Sequence, residues 1–144
     1  MSSEENKALV RRLVEVDNQG NLDALDDLVA GNFVEHSPYA QAGTAGIEGV
    51  KQFTRMIRSA FPDSTWTIDD LVAEGDKVVM RWSSRGTHQG EAFGVPATGR
   101  PVAVTGIEIY GVSGGKLAER WSEVDMLGLM QQLGVVPPPR QGGS

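Results

Sequence analysis

Two long β-prone runs meet at a glycine pair near the end of this chain, and that junction limits the fold more than any other stretch. Val102 to Val112 and Lys116 to Asp125 carry most of the nearby Val, Ile, Tyr and Trp, and Gly114-Gly115 lies between them. A glycine pair takes the positive φ that a two-residue hairpin loop requires, so the two runs read as antiparallel partners. Counting outward from the turn sets Val112 against Leu117, Tyr110 against Glu119, Glu108 against Trp121 and Val104 against Asp125. Side chains alternate across a strand, so all of these fall on one face. Carboxylates and aromatics on a shared surface suit neither open solvent nor a plain core, and the pattern predicts a polar-lined pocket.

The first half of the chain follows a different period. A serine and early acids at Ser3-Glu4-Glu5 open a helix whose apolar stripe is Leu9, Val10, Leu13, Val14 and Val16, with Gly20 as its stop. Leu22, Leu25, Leu28 and Val29 predict a second, short helix up to Gly31. The phrase FVEHSPY is extended, because the residue before Pro38 is pushed out of the helical region, and a mobile loop AQAGTAG follows. A third helix carries Val50, Phe53, Met56, Ile57 and Ala60 up to Phe61-Pro62. From Asp63 to Asp125 the period becomes two. A hairpin is expected at Gly75-Asp76, setting Arg81 against Asp70 and Arg85 against Trp66, and a long loop runs from Gln89 to Arg100.

Helices first and antiparallel strands afterwards define an α+β layout in which a curved sheet wraps around helices and encloses a central pocket. The 144 residues are expected to form one domain over residues 1–134, with residues 135–144 an extended or disordered tail. A formal net charge of -6 disfavours nucleic-acid and acidic-membrane partners. The absence of cysteine removes thiolate chemistry, and the N-terminus lacks an apolar signal core, so a cytoplasmic location is expected. Two histidines with no sequence-local acid pair do not make a recognisable metal site.

Three phrases, HSPYAQAGTAGIEGVKQF, RGTHQGEAFGVPATGR and GKLAERWSEVDMLGLMQQLG, resemble successive signatures of the SnoaL-like polyketide cyclase family, within the nuclear-transport-factor-2-like superfamily. The resemblance spans nearly the whole chain. It implies a cone-shaped barrel closed by N-terminal helices, a homodimer or homotetramer, and a pocket that takes small hydrophobic molecules without metal or cofactor. It also implies an acid/base aspartate in the W-x-x-x-D phrase, which falls here on Trp121 and Asp125. In such cyclases that residue removes a proton between two carbonyls of a polyketide ester. The enolate then closes a ring by aldol addition. Burial of a carboxylate in an apolar pocket makes it a better base, which suits this role.

An enolate also needs a hydrogen-bond donor. His36, at the end of a short strand, and His88, in GTHQG, are the two candidates, and each has a plain structural alternative. Glu108 and Trp121 complete the site as substrate contacts, whereas Glu119 and Glu123 read as solvated. The reading is a cofactor-free aldol-type cyclase with Asp125 as acid/base. A non-catalytic binding domain and an epoxide hydrolase of the same fold are the alternatives. Limonene epoxide hydrolase, in the same superfamily, sets an arginine between two acids, and no phrase here matches that set.

Overall fold

The computed structural model describes residues 2–37 and 45–138. Residues 40–44 of the expected loop AQAGTAG and the last residues of the expected tail lie outside the described residues. Helix α1 (Ser3–Gln19) is capped by Ser2, one residue before the expected cap at Ser3. The Ser2 side chain accepts from the Glu5 N–H while the Glu5 carboxylate accepts from the Ser2 N–H, so two orphan donors of the first turn are satisfied. Val10, Leu13 and Val16 are buried, and Gly20, at φ 69°, ends the helix in the left-handed conformation that glycine adopts freely. A single 3-10 turn over Leu22–Ala24 leads into α2 (Leu25–Leu28), and the chain turns directly into β1 (Val29–Glu35).

Helix α3 (Gly46–Ala60) is followed by β2 (Thr65–Glu74), β3 (Lys77–Thr87), β4 (Pro101–Ser113), β5 (Lys116–Val124) and the short α4 (Met126–Gln132). The sheet order is β1-β5-β4-β3-β2, with β1 parallel to β5 and the other pairs antiparallel. The α+β expectation therefore holds, as a curved five-stranded sheet packed against helices. Two apolar clusters fill it. One joins α1, α2 and the middle of the sheet through Val10, Leu25, Val78, Tyr110 and Leu117. The other joins the end of α3 to the β3–β4 loop and α4 through Ile57, Phe61, Ala92 and Leu129.

The hairpin register departs from the sequence count at one residue. Ser113 pairs with Lys116 and Val112 with Leu117, as expected around Gly114 (φ 59°) and Gly115 (φ 76°). Gly111 then pairs with Glu119, which leaves Ala118 as the extra residue of a β-bulge. Every later pair is shifted: Tyr110 faces Arg120, and Glu108 faces Ser122. A shift of one residue exchanges the two faces of a strand. Trp121 and Glu119 therefore leave the inner face, and Arg120 and Ser122 take their place. A second irregularity, at Asp69, does the same in the first hairpin. Asp70 still pairs with Arg81, but Trp66 pairs with Ser84 instead of Arg85.

Candidate active site

The concave side of the sheet and helix α3 enclose a cavity of about 390 Å³. Its position follows from the two apolar clusters, which meet around it without filling it. Phe33, Val50 and Trp82 of the first cluster and Ile57, Val102 and Leu129 of the second all line it. Most of the wall is apolar. Its charged groups concentrate where β1, β4 and β5 run side by side, Glu35, Glu108 and Arg120 with Ser122 beside them, while Gln52, Ser64 and Ser84 are polar positions elsewhere on the wall.

These polar groups form one network. Arg120 Nε lies 2.5 Å from Glu35 Oε2, and Glu35 and Arg120 are also register partners across the parallel β1–β5 pair. The phenol of Tyr110 donates to Glu108. Arg120 also lies over the rings of Phe33 and Tyr110, at 5.6 and 5.9 Å from their centroids. Burial by itself would favour the neutral form of Arg120, but Glu108, Tyr110 and Glu35 outweigh it and raise its pKa. Tyr110 is only 2% exposed, and burial together with the Glu108 carboxylate pushes its phenol well above its ordinary pKa. It therefore stays a donor at neutral pH.

Asp17, on the last turn of α1, stands behind this network. Its Oδ1 is buried and has no hydrogen-bond partner. Desolvation raises its pKa to about 7; Glu108 adds to the rise, and Arg120 and Arg58 oppose it. Three acids, Glu35, Glu108 and Asp17, thus share the surroundings of Arg120. Keeping a proton on one of them lowers the repulsion among the others.

The residues expected from the sequence fall in different places. Glu108 lines the cavity in mid-strand. Asp125 does not share the inner face. It follows the last residue of β5, is exposed, and caps α4 by accepting the Gly128 N–H at 2.9 Å. Trp121 lies on the outer face, 37% exposed, because of the bulge at Ala118. His36 stacks on it with ring centroids 4.4 Å apart, and its Nε2 lies 3.2 Å from Glu119 Oε2. That set lies apart from the cavity wall.

His88 is fully buried and holds the β3–β4 loop. The Thr98 N–H donates to its Nδ1 at 3.2 Å, which makes Nδ1 the acceptor and leaves the ring proton on Nε2. Glu35, Tyr110, Arg120 and Asp17 were not in the sequence-based site. Gly111 was the available signal, since a glycine inside a strand often marks a bulge, and a Cβ there would meet Glu119 Cγ at 2.6 Å. Among the described residues no group of three or more metal-ligating side chains occurs, and no helix is long and apolar enough to cross a membrane.

A curved sheet closed by helices around an apolar, acid-containing cavity is the nuclear-transport-factor-2-like fold. Within that fold the chain belongs to the SnoaL-like polyketide cyclase family, whose profile matches residues 7–133. It is 28% identical over 141 residues to the aklanonic acid methyl ester cyclase DauD of Streptomyces sp. (strain C5), covering 93% of this chain and 84% of that protein. The aklanonic acid methyl ester cyclase DnrD of Streptomyces peucetius is also 28% identical, over 93% of this chain and 94% of its own. Among solved structures, TsrD from Streptomyces laurentii superposes with a TM-score of 0.86 at 33% identity, over 94% of this chain and 99% of that one. IdmH from Streptomyces antibioticus gives 0.78 at 36% identity, over 90% and 99%.

Proposed function

We propose that this protein closes a ring in a hydrophobic polyketide-like ester by intramolecular aldol addition, with Glu108 as the acid/base group. The observation that carries the reading is the pairing of Glu108 with Ser122 on the inner face, beside Arg120, in a cavity whose walls are otherwise mostly apolar. Glu108 takes the proton from a carbon flanked by two carbonyls. Negative charge develops on the enolate oxygen, and the Arg120 guanidinium and Ser122 hydroxyl are the donors available to it. The enolate carbon then bonds to a second carbonyl carbon, and the resulting alkoxide takes the proton back from Glu108. Atoms and charge balance with no added reactant. The cavity holds the folded chain so that the two carbons meet, which substitutes a unimolecular step for a costly ordering in water.

Asp125, which the family phrase implies as the base, is the direct competitor for the role. Cyclisation of an aromatic β-keto methyl ester by wild type, Glu108→Gln and Asp125→Asn separates the two. Loss of a general base costs roughly 100-fold or more in kcat/KM. That loss is expected in Glu108→Gln, with Asp125→Asn within a few-fold of wild type. The reverse pattern would return the role to Asp125. A homodimer through the outer sheet face is part of the same reading. Its support is the exposure there of Ile107 (49%), Ile109 (37%) and Trp121 (37%) between charged residues of both signs. Sedimentation of Ile109→Lys at micromolar concentration is expected to give monomer.

One observation favours a second reaction. Arg120 stands between Glu35 and the Tyr110–Glu108 pair, an acid–arginine–acid arrangement suited to aligning a water molecule for attack on an epoxide. Diol formation from a hydrophobic epoxide, with no turnover of the keto ester, would select that reaction.

A further inference from the structure

The β3–β4 loop carries an aromatic side chain in a backbone conformation that its residue type disfavours. Phe93 has φ 53°, the one non-glycine with positive φ among the described residues. It precedes Gly94 at φ 78°, and the two form the tip of a hairpin closed by Ala92 and Val95, whose N–H groups donate to each other's carbonyls at 3.1 and 2.8 Å. Positive φ at both tip positions is the pattern of a type I′ turn, in which Asn or Gly ordinarily occupies the first place. A bulky residue there is strained, and strain of this kind gathers at ligand clamps.

Its surroundings give the strain a use. Phe93 lines the cavity yet is 39% exposed, as is Phe53 of α3, so both stand at the mouth. The stalk beneath the tip is fixed. Ala92 and His88 are fully buried, and the N–H groups of Gln89 and Gly90 both donate to the Ala60 carbonyl, at 2.8 and 3.1 Å. Gly90 sits so close to the end of α3 that a Cβ would meet the Ser59 carbonyl oxygen at 2.5 Å. The Gly94 N–H donates to Glu91 Oε1 at 3.1 Å, holding the tip from its other side. The loop therefore presents its phenyl ring on a rigid support.

We infer that Phe93 is a specificity-determining residue, an aromatic clamp at the cavity mouth that selects flat aromatic substrates over saturated ones. This rests on the cavity being the substrate site, as proposed above. Ring-on-ring contact adds to plain apolar burial and favours aromatic ligands, whereas a saturated ligand gains only the burial.

The test uses quenching of tryptophan fluorescence, since Trp66 and Trp82 line the cavity. The probes are 1,8-dihydroxyanthraquinone and, by competition, 2-decalone. Phe93→Gly and Phe93→Asn remove the ring while suiting the turn, so their thermal midpoints should equal or exceed that of wild type. Each is expected to bind the anthraquinone about tenfold more weakly and 2-decalone within about twofold of wild type. Unchanged anthraquinone affinity in both variants, or equal loss of both probes, would overturn the clamp. Val104→Trp, which fills the cavity, should lose both probes. If it binds them as wild type does, or if wild type binds neither, the cavity is not the ligand site and the functional reading fails irrespective of Phe93.

Discussion

Glu35 and Arg120 meet at 2.5 Å across the only parallel strand pair among the described residues, and this contact brings the N-terminal strand into the chemistry of the C-terminal hairpin. Without it, Arg120 would be a cation in a largely apolar cavity with Glu108 as its main counter-charge. Removing one member of a buried ion pair leaves the other uncompensated and typically costs about 3–5 kcal/mol. Arg120→Met is therefore expected to lower stability by about that amount in urea unfolding. Glu35→Gln combined with Arg120→Met should recover part of the loss, because the isolated carboxylate is then gone.

Asp17 gives the protein a pH dependence of its own. Its folded-state pKa, about 7, lies above the ordinary value of 3.8, so folding favours the protonated carboxyl. The stabilisation is complete below 3.8 and is lost as pH rises through about 7. Asp17→Asn removes the ionisation. Relative to wild type, the variant should gain stability as pH rises from about 4 to 8, by up to about 4 kcal/mol at the upper end, since a tenfold difference in proton affinity between the folded and unfolded chain is worth about 1.4 kcal/mol. Urea unfolding at several pH values checks this, and parallel curves for the two proteins would contradict it.

The bulge at Ala118 sets which residues of β5 face the cavity. Deleting Ala118 would keep every later pair, with Glu119 still opposite Gly111 and Arg120 opposite Tyr110, whereas one alanine inserted between Glu119 and Arg120 would turn Arg120 outward and Trp121 inward, opposite Glu108. Neither fits: the inner face at this level is filled by Tyr110, and Arg120 would leave Glu35 and Glu108 unpaired. The insertion is expected to abolish cooperative thermal unfolding in circular dichroism, and the deletion to retain it. Replacing Ala118 by Ser, which keeps the residue count, should change the midpoint by only a few degrees.

Gly106 is a closer test of cavity shape. A Cβ there would lie 2.5 Å from Trp82 Cζ2 and 2.9 Å from the Glu123 carbonyl oxygen. Gly106→Ala forces the Trp82 ring towards the cavity it lines. Overpacking of this kind costs about 1–3 kcal/mol. Ligand affinity should fall together with stability, a pairing that isothermal titration and thermal melts on one preparation would show.

Periodicity and punctuation disclosed most of the fold. The stripe Val10, Leu13, Val16 and the stop at Gly20 define α1, and the glycine turns at Gly75 and Gly114 locate both hairpins. Periodicity also puts Glu108 on the inner face, because it lies on β4, where no residue is inserted. It failed beyond the bulges. A count outward from a turn carries no information about an extra residue, and one insertion moved Trp121 and the acids around it to the other face. Asp125 illustrates a second limit: a strand-end aspartate two positions past Glu123 can be drawn into capping the next helix, here through Gly128, and the strand pattern does not register that competition. The Glu35–Arg120 contact was invisible for a third reason. It joins strands separated by most of the chain, and only tertiary packing brings them together.

The central claim is that proton abstraction occurs inside the cavity at Glu108. Catalysed exchange of the acidic proton of a β-keto ester into D2O, followed by NMR, isolates that step from ring closure. Wild type and Asp125→Asn should exchange it at comparable rates above buffer, and Glu108→Gln at least about 100-fold more slowly than wild type. Full exchange activity in Glu108→Gln, or its loss in Asp125→Asn alone, would contradict the account.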